Sequence, residues 1–452
     1  MSQPTSMEQQ QSYVLRTIEE RRVRLVRLWF TDVLGQLKSV AISPVELETA
    51  FEDGVQFDGS AIDGFSRVQE TDVLAIPDAG SFQLMGWGDG GDLSARMFCD
   101  LVNLDGTPFE GDPRQVLKRN LAKAREAGFN FMCSPEVEFF YFDAEAATEG
   151  NPKPLDRAGY FDLTTFDASS DIRRATIQRL EATGIPVEYS FHEDAPSQHE
   201  IDLRYTDGLS TADNLMTLRL LVREVALEHG VHATFMPKPL GGVQGSGMHT
   251  HLSLWNEHGN AFFDADDPYT LSNTGRSFIA GLLTHAQEMT AVTNQLVNSY
   301  KRLVLGFEAP VHVSWARSNR SALVRLPISK RGKEASGTRL EYRALDPACN
   351  PYLAFSVLLA AGLAGIERGY HLEEEAEANI FELTDTERRA KGIRLLPTSL
   401  SDALDQMETS ELVREALGEH IFEWFLRNKR SEWNDYKAHV TQFELDRYLG
   451  VW

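Results

Sequence analysis

Four short runs of the chain place charged or imidazole side chains at every second position, and they constrain the fold more than any other feature. The runs are FMCSPEVEFFYF (131–142), HEIDLRY (199–205), MHTHLSL (248–254) and TRLEYRA (338–344). Successive side chains of a β-strand point to opposite faces of its sheet. Each run therefore predicts a strand with one polar and one apolar face, and four neighbouring strands of this kind would form a sheet with a polar face.

The polar positions of these runs form an oxygen-rich set of candidate metal ligands. The carboxylate and imidazole groups at or beside them belong to Glu136, Glu138, Glu193, Glu200, His249 and Glu341. Taken singly, each run also fits a solvated strand face or a surface ladder of ion pairs. Together, with one imidazole and no thiolate, they are typical of Mg²⁺ or Mn²⁺ and numerous enough for two or three ions. Arginines on the same face would then meet an anionic substrate or a transferring phosphoryl group.

Two further segments are ambiguous by themselves. The glycine-rich stretch LGGVQGSGMH (240–249) is neither a P-loop nor a dinucleotide-binding fingerprint. The glycines indicate only a close approach of the backbone, either to a ligand or within a tight turn. The arginine pair in NRSALVR (319–325) fits either a phosphate-binding segment or a charged loop.

Composition excludes several classes of protein. The formal charge of −23 argues against a nucleic-acid partner, because no net cationic field is present to replace phosphate counterions. The three cysteines are far apart with no C-x-x-C spacing, so neither a disulfide framework nor a thiolate zinc site is indicated. The N-terminus lacks an apolar signal core, and the apolar stretch 352–366 is too short to span a bilayer. We therefore expect a soluble, cytoplasmic protein with no membrane partner.

The pattern along the chain predicts an α+β protein of two domains. Residues 1–105 are strand-rich and glycine-rich, with a hairpin over 21–42 that turns at Gly35. Residues 106–452 combine long helical patterns with the polar-faced strands, which predicts a mainly antiparallel sheet flanked by helices. Helices are expected after Asp112 and Asn350, where a capping side chain precedes a proline, and over 211–228 and 399–425.

The order of the motifs resembles that of the class I glutamine synthetases along nearly the whole chain. The motifs are FDGSAIDGF (57–65), SPEVEFF (134–140), HEDAPSQHEID (192–202), MPKPLGGVQGSGMHTHLSL (236–254), NSYKRLVLGFEAP (298–310), NRSALVRLP (319–327) and RLEYRALDPACNPYL (339–353). The resemblance implies a β-grasp-like N-terminal domain and a larger catalytic domain. It also implies a dodecamer of two stacked hexameric rings, with each active site between neighbouring subunits.

The resemblance also implies a role for each matched residue. One metal site would consist of Glu138, Glu193 and Glu200, and another of Glu136, His249 and Glu341. The ATP-binding residues would be Glu188, His251, Ser253, Arg325 and Arg339. Glutamate would be held by Arg302, Arg343 and the backbone of Gly245. Arg320 and Arg339 would stabilise the transferring phosphoryl group. Asp58 and Glu308 would bind ammonium and remove its proton.

The reaction implied is the ATP-dependent ligation of ammonia to the γ-carboxylate of glutamate through a γ-glutamyl phosphate, with Mg²⁺ or Mn²⁺. Three alternatives remain open at this point. The acceptor could be a polyamine or another primary amine, since relatives of this family ligate such amines. The chain could instead be a metal-dependent hydrolase, or a structural homologue without catalysis.

Five positions either depart from the family pattern or fit more than one role. Gln244 stands where asparagine is usual before Gly-Ser-Gly, and the longer segment 326–338 leaves the nucleotide-side lysine open between Lys330 and Lys333. Phe381 replaces the tyrosine that some members adenylylate, so this mode of regulation should be absent. Arg67 matches an arginine that mediates glutamine feedback in the subgroup without adenylylation, and it also fits a plain surface arginine.

Overall fold

The computed structural model describes residues 6–60, 62, 64, 72–86, 93–163, 165–376, 384–390 and 392–452. Its first sheet has the strand order β2-β1-β6-β4-β3, with β5 paired to β6. The strands are β1 (Leu25–Thr31), β2 (Leu37–Ile42), β3 (Val55–Asp58), β4 (Asp72–Pro77), β5 (Gln83–Met85) and β6 (Ser94–Asn103). Helices α1 (Ser6–Arg21) and α2 (Leu47–Asp53) pack with them. The predicted hairpin is confirmed: β1 and β2 pair antiparallel, and Gly35 takes a left-handed φ of 82° in the turn.

The second sheet carries all four polar-faced runs. Its strands are β7 (Asn130–Asp143), β8 (Val187–His192), β9 (Gln198–Leu203), β10 (Thr206–Asp207), β11 (Val231–Thr234), β12 (Met248–Asn256), β13 (Gly259–Asn260), β14 (His312–Ala316), β15 (Ala322–Arg325) and β16 (Leu340–Tyr342). The order is β14-β15-β16-β12-β7-β9-β8, and among the described strands of this sheet only β14 and β15 pair in parallel. The runs are thus neighbours, as β16, β12, β7 and β9, in a mainly antiparallel sheet.

Fourteen further α-helices lie in the described part of the chain. They are α3 (Pro113–Glu126), α4 (Ala144–Thr148), α5 (Ser170–Ala182), α6 (Gly208–Glu228), α7 (Asn273–Thr284), α8 (Ala286–Thr293), α9 (Ser299–Arg302), α10 (Glu334–Gly337), α11 (Pro351–Glu367), α12 (Asp385–Ala390), α13 (Leu400–Glu408), α14 (Glu411–Leu417), α15 (Glu419–Ala438) and α16 (Gln442–Tyr448). Asp112 and Asn350 cap α3 and α11 as expected, each accepting backbone N–H bonds of the first turn. None of the helices in the described ranges combines the length and the apolar character needed to cross a membrane.

Two of the predicted helices differ in their bounds. Helix α6 begins at Gly208 rather than Thr211, because the Asp207 carboxylate accepts the amides of Leu209 and Ser210 and caps the helix earlier. The helical region 399–425 consists of α13, α14 and the first part of α15. It breaks at Gly418, whose φ of 81° does not fit a helix.

The two larger hydrophobic cores formed by the described residues do not separate at residue 105. The smaller core packs α1 against the first sheet, with Val14, Ile18 and Phe30 among its members. Trp29 and Phe98, on the same sheet, are buried instead in the larger core beneath the second sheet. The division into domains of 1–105 and 106–452 stays a prediction.

Candidate active site

The polar faces of β7, β9, β12 and β16 converge on a cleft of about 670 Å³. Strand register places His249 opposite Glu136, and it places Glu200 opposite Glu138. Asp202 lies on the other side of Glu136. Asp202 shares the alternation of Glu200 and lines the cleft, yet the sequence motifs alone predicted no role for this residue.

One ligand cluster joins Glu136, His249 and Glu341. One potential ligand atom from each lies within 4.8 Å of the others, and His249 Nδ1 is 3.5 Å from Glu136 and 3.7 Å from Glu341. Burial opposes ionisation of Glu136, but hydrogen bonds with His249 and His251 hold its pKa well below the usual range. His249 Nε2 is buried and has no hydrogen-bond partner among the described residues. A carboxylate pair with an available imidazole fits a divalent cation.

The pKa values of the neighbouring carboxylates are raised, in contrast to that of Glu136. Burial and the nearby charge of Glu138 raise the pKa of Glu193 to about 8. Burial and the charge of Asp202 raise the pKa of Glu200 well above its usual range. Burial and the charge of Glu136 likewise raise the pKa of Asp202 to about 8. Such mutual repulsion is relieved by a cation, so the set Glu138, Glu193 and Glu200 also fits a hard divalent ion.

Arginines line the same cleft as the carboxylates. Arg325 Nε donates to Glu341 Oε2 at 2.5 Å, and the Arg343 guanidinium donates to the other oxygen of that carboxylate. Arg302 is buried and donates to the carbonyls of Ala344 and Leu345 at 2.9 and 3.1 Å. Arg320 also lines the cleft and is solvent-exposed. The cleft thus combines cation-binding and anion-binding groups.

Of the residues predicted to bind nucleotide, only Arg325 lies in the described cleft lining. His251 and Ser253 lie on β12, and Arg339 directly precedes β16, the neighbouring strand. His251 Nε2 lies 2.7 Å from Glu136 Oε1, and Arg339 Nε donates to His251 Nδ1 at 3.2 Å. Ser253 Oγ accepts a bond from Trp255 Nε1 at 3.1 Å. Trp255 continues the alternation of 249, 251 and 253, a signal that the sequence analysis did not use. Glu188 is exposed on the edge strand β8.

The glycine-rich segment is held tightly against the ligand clusters. A Cβ on Gly245 would lie 2.2 Å from the Pro237 carbonyl oxygen, so no side chain fits there. Gln198 Nε2 donates both to Glu138 Oε2 at 2.8 Å and to the Gly245 carbonyl at 3.2 Å. Gln244, the unusual residue, donates its amide to Asp194 Oδ2 at 2.9 Å. The extra methylene is thus accommodated by a contact with the loop that follows Glu193.

The structure separates the two carboxylates predicted to handle ammonium. Glu308 lines the cleft and has a left-handed φ of 56°. Asp58 is exposed at the end of β3, outside the cleft lining, where hydrogen bonds from Ser60 lower its pKa. Lys330 and Lys333 are both exposed, which leaves the choice between them open. Arg67 and Phe381 lie outside the described residues.

Aromatic side chains form one wall of the cleft, a feature that the sequence analysis missed. Tyr160 stacks on Phe161 with ring centroids 4.0 Å apart, and both meet the Phe191 ring edge to face. Tyr189 lies on the same strand two residues before Phe191 and also lines the cleft. The alternation of the two aromatic residues along β8 was the available signal.

Comparison with known proteins decides the family. The chain matches the family described as "Glutamine synthetase, beta-Grasp domain" over residues 22–104, and "Glutamine synthetase, catalytic domain" over residues 110–448. This chain belongs to the glutamine synthetase family. It is therefore an ATP-dependent ligase, and the predicted fold class is confirmed.

Relatives named glutamine synthetase align with almost the whole chain. A protein of Mycolicibacterium smegmatis is 58% identical, over 98% of this chain and 100% of its own length. One from Methanosarcina mazei is 48% identical, over 97% of each chain. A solved structure described as "GmaS/ADP complex-Conformation 1" superimposes with a TM-score of 0.86 at 31% identity, covering 96% of this chain and 99% of the other. The family uses a divalent metal, and the acidic and histidine clusters supply a place for it.

Proposed function

We propose that this glutamine synthetase family member joins ammonia to the γ-carboxylate of L-glutamate through a γ-glutamyl phosphate, giving glutamine. The observation that supports this most is the convergence of two cation-binding clusters, several arginines and Glu308 on one cleft. Formation of an acyl phosphate requires groups that neutralise the negative charges of the phosphate. Its later reaction requires that the acyl carbonyl be open to attack by the amine. A cleft with only carboxylates would suit hydrolysis equally well, but the arginines favour a transferring phosphoryl group.

The ligand sets would hold two to three Mg²⁺ or Mn²⁺ ions. One set is Glu136, His249 and Glu341, and the other is Glu138, Glu193 and Glu200. When bound, these ions supply Lewis-acid neutralisation of the phosphate oxygens. Asp202 lies beside both sets and adds a further carboxylate to the field that attracts the cations.

The remaining groups act directly on the substrates. Arg302 and Arg343 orient glutamate, and the Gly245 backbone fixes its amino group. The γ-carboxylate oxygen attacks the γ-phosphorus of ATP and ADP leaves, while Arg320 and Arg339 neutralise the transferring group. Ammonium loses a proton to Glu308 or Asp58, and ammonia attacks the acyl carbon. The adduct then loses a second proton to the departing phosphate, which leaves the neutral amide. Glu188, His251, Ser253 and Arg325 would position the nucleotide for the in-line transfer.

Asp58 can take part only if another chain supplies it, since it does not line the cleft of its own chain. We therefore propose an oligomer in which the N-terminal sheet of one subunit completes the cleft of the next, in a dodecamer of two hexameric rings. A cytoplasmic location is part of the same proposal. Closed point-group rings bury such heterologous contacts without leaving open ends.

A second candidate is a γ-glutamyl ligase that uses a polyamine or another primary amine. The aromatic wall of Tyr160, Phe161 and Phe191 favours it, because ammonia has no alkyl chain to contact. Cationic amines are also attracted to aromatic faces and to carboxylates.

One assay separates the two candidates. Phosphate release from ATP is measured with glutamate and Mg²⁺ or Mn²⁺ while only the amine is changed, and products are identified by mass spectrometry. Efficient glutamine formation with poor turnover of putrescine, methylamine or ethanolamine supports ammonia. A γ-glutamylated amine formed readily while ammonium reacts poorly would replace the acceptor and keep the rest of the proposal.

A further inference from the structure

Lys238 lies behind the cleft and contacts two segments that line it. Its ammonium donates a hydrogen bond to the carbonyl of Val243, in the glycine-rich segment 240–247. The same ammonium lies 3.8 Å from the centroid of the Phe307 ring, a cation–π geometry. Among the described residues, Gly245 and Phe307 line the cleft and Lys238 does not. The Lys238 side chain therefore acts on the reaction indirectly, through the segments that it contacts.

The backbone of Lys238 is fixed from a third direction. Its amide donates to Asn298 Oδ1 at 2.7 Å, and its carbonyl accepts from Asn298 Nδ2 at 3.1 Å. Asn298 directly precedes α9, whose last residue is Arg302, and the Arg302 guanidinium is anchored to the carbonyls after β16. The Lys238 side chain thus extends from a rigid base, so that its ammonium can fix the position of the segments it contacts.

The segment with Phe307 needs such a contact. Gly306 and Glu308 on either side of Phe307 have φ values of 92° and 56°. The left-handed region is unfavourable for a glutamate and persists where surrounding contacts impose it. Leu305 and Glu308 are exposed, whereas the Phe307 ring is partly covered. The contact with Lys238 is therefore a point at which this exposed segment is attached to the rigid base.

We propose that Lys238 is a positioning residue that ties the glycine-rich segment to Phe307 and thereby holds Glu308 over the acceptor side of the cleft. This inference rests on the proposed function, since it assigns Glu308 to the amine step. With the tie in place, the two segments close on the acyl phosphate together and limit the access of water. Without it, binding of the amine and exclusion of water both weaken, while phosphoryl transfer on the metal side continues.

The test compares Lys238→Met, which keeps the alkyl stem, with Lys238→Arg, which keeps the charge and the donor. Two ratios are measured: KM against kcat for the amine, and phosphate released against γ-glutamyl amide formed. We expect Lys238→Met to raise the amine KM and the phosphate-to-amide ratio by at least about two- to fivefold, because it removes the cation–π contact together with the hydrogen bond to Val243. In Lys238→Arg the amine KM and the phosphate-to-amide ratio should both stay close to the wild-type values. A Met variant with wild-type KM and coupling would overturn the proposal.

Phe307→Leu supplies an independent variant, because it removes the ring face and leaves the Lys238–Val243 bond. Its effects should have the same direction and should not add to those of Lys238→Met, whereas additive effects would contradict a shared contact. Amide hydrogen exchange supplies a readout without activity. Exchange in 303–309 should rise in Lys238→Met while exchange in β7 stays unchanged, and no rise would count against the tie. If the wild-type enzyme ligates no amine, the proposed function fails, yet the exchange comparison still tests the tie.

Discussion

His249 lies directly opposite Glu136 on antiparallel strands, and its Nδ1 is 3.5 Å from the Glu136 carboxylate and 3.7 Å from that of Glu341. This pairing brings residues from three strands into one ligand cluster. The imidazole supplies the nitrogen donor of an otherwise oxygen-only set, so its removal should weaken one ion selectively.

The first prediction concerns that ion. His249→Asn should weaken Mn²⁺ binding at one site by at least about tenfold, because even groups that only orient metal ligands commonly contribute that much. Isothermal titration calorimetry measures the sites separately. His258→Asn is the matched control, since His258 follows the same strand, has 83% of its side chain accessible and lies outside the cleft lining. Equal Mn²⁺ affinities in the two variants would argue against the cluster as a metal site.

The second prediction concerns pH. Glu193 and Asp202 have pKa values of about 8 in the metal-free protein, far above their ordinary values of 4.5 and 3.8. The folded protein therefore holds protons that the unfolded chain has lost, so these groups stabilise the metal-free fold at low pH and lose that contribution as pH rises towards 8. A bound cation displaces the protons. Between pH 6.5 and 8 metal affinity should thus rise, by about tenfold per pH unit for each proton released.

Calorimetry in buffers of different ionisation enthalpy counts those protons directly. Thermal melts with and without Mn²⁺ should show a larger metal-induced gain in Tm at pH 8 than at pH 6.5. Glu193→Gln should release fewer protons than the wild type. A pH-independent metal affinity over this window would show that these carboxyls are already ionised in the metal-free protein.

The third prediction separates phosphoryl transfer from substrate binding. Arg320 lines the cleft and is exposed, so Arg320→Gln should leave the fold intact. Loss of a charge aimed at the transferring phosphoryl should lower kcat by about 10²–10³-fold with little change in the KM of glutamate. Arg317→Gln is the control, since Arg317 lies over the Tyr269 ring outside the cleft. A rise in KM alone would assign Arg320 to ground-state binding.

The fourth prediction tests whether two subunits share one active site. Asp58→Asn and Glu308→Gln should each lower amide formation, because each removes a carboxylate from the amine step. If the carboxylates come from different chains, mixed oligomers contain sites with both groups intact. Co-expression of the two variants should then restore activity that neither has alone. No recovery in oligomers shown by mass spectrometry to be mixed would place both carboxylates in the same chain.

The fifth prediction concerns the packing of α11 on α7. A Cβ on Gly362 would lie 2.2 Å from the ring of Phe278, which is fully buried. Gly362→Ala should therefore lower the free energy of unfolding by about 1–3 kcal/mol, the usual cost of overpacking. Gly159→Ala is the control, because its new methyl would meet nothing closer than 3.9 Å. Chemical denaturation followed by circular dichroism compares them, and equal midpoints would mean that α7 shifts freely.

Much of the fold followed from local sequence. The strand faces, the Gly35 hairpin and the caps at Asp112 and Asn350 depend on residues close together in the chain, so period and turn chemistry were sufficient. The start of α6 was predicted at Thr211 and not at Gly208, because that prediction followed the apolar pattern and did not use the cap at Asp207. The burial of Trp29 and Phe98 in the larger core could not be predicted locally, because it depends on packing between segments far apart in the chain.

By itself the sequence determined which side chains share a strand face, since alternation is a property of the extended backbone. The residues of the two candidate ligand clusters could be named on that basis together with the family resemblance. Only the tertiary structure decided the register that sets His249 against Glu136, the repulsion that raises the pKa of Glu193, and the separation of Asp58 from the cleft. These depend on distances between segments far apart in the chain. Such distances are set by the packing of the whole core, which no local pattern encodes.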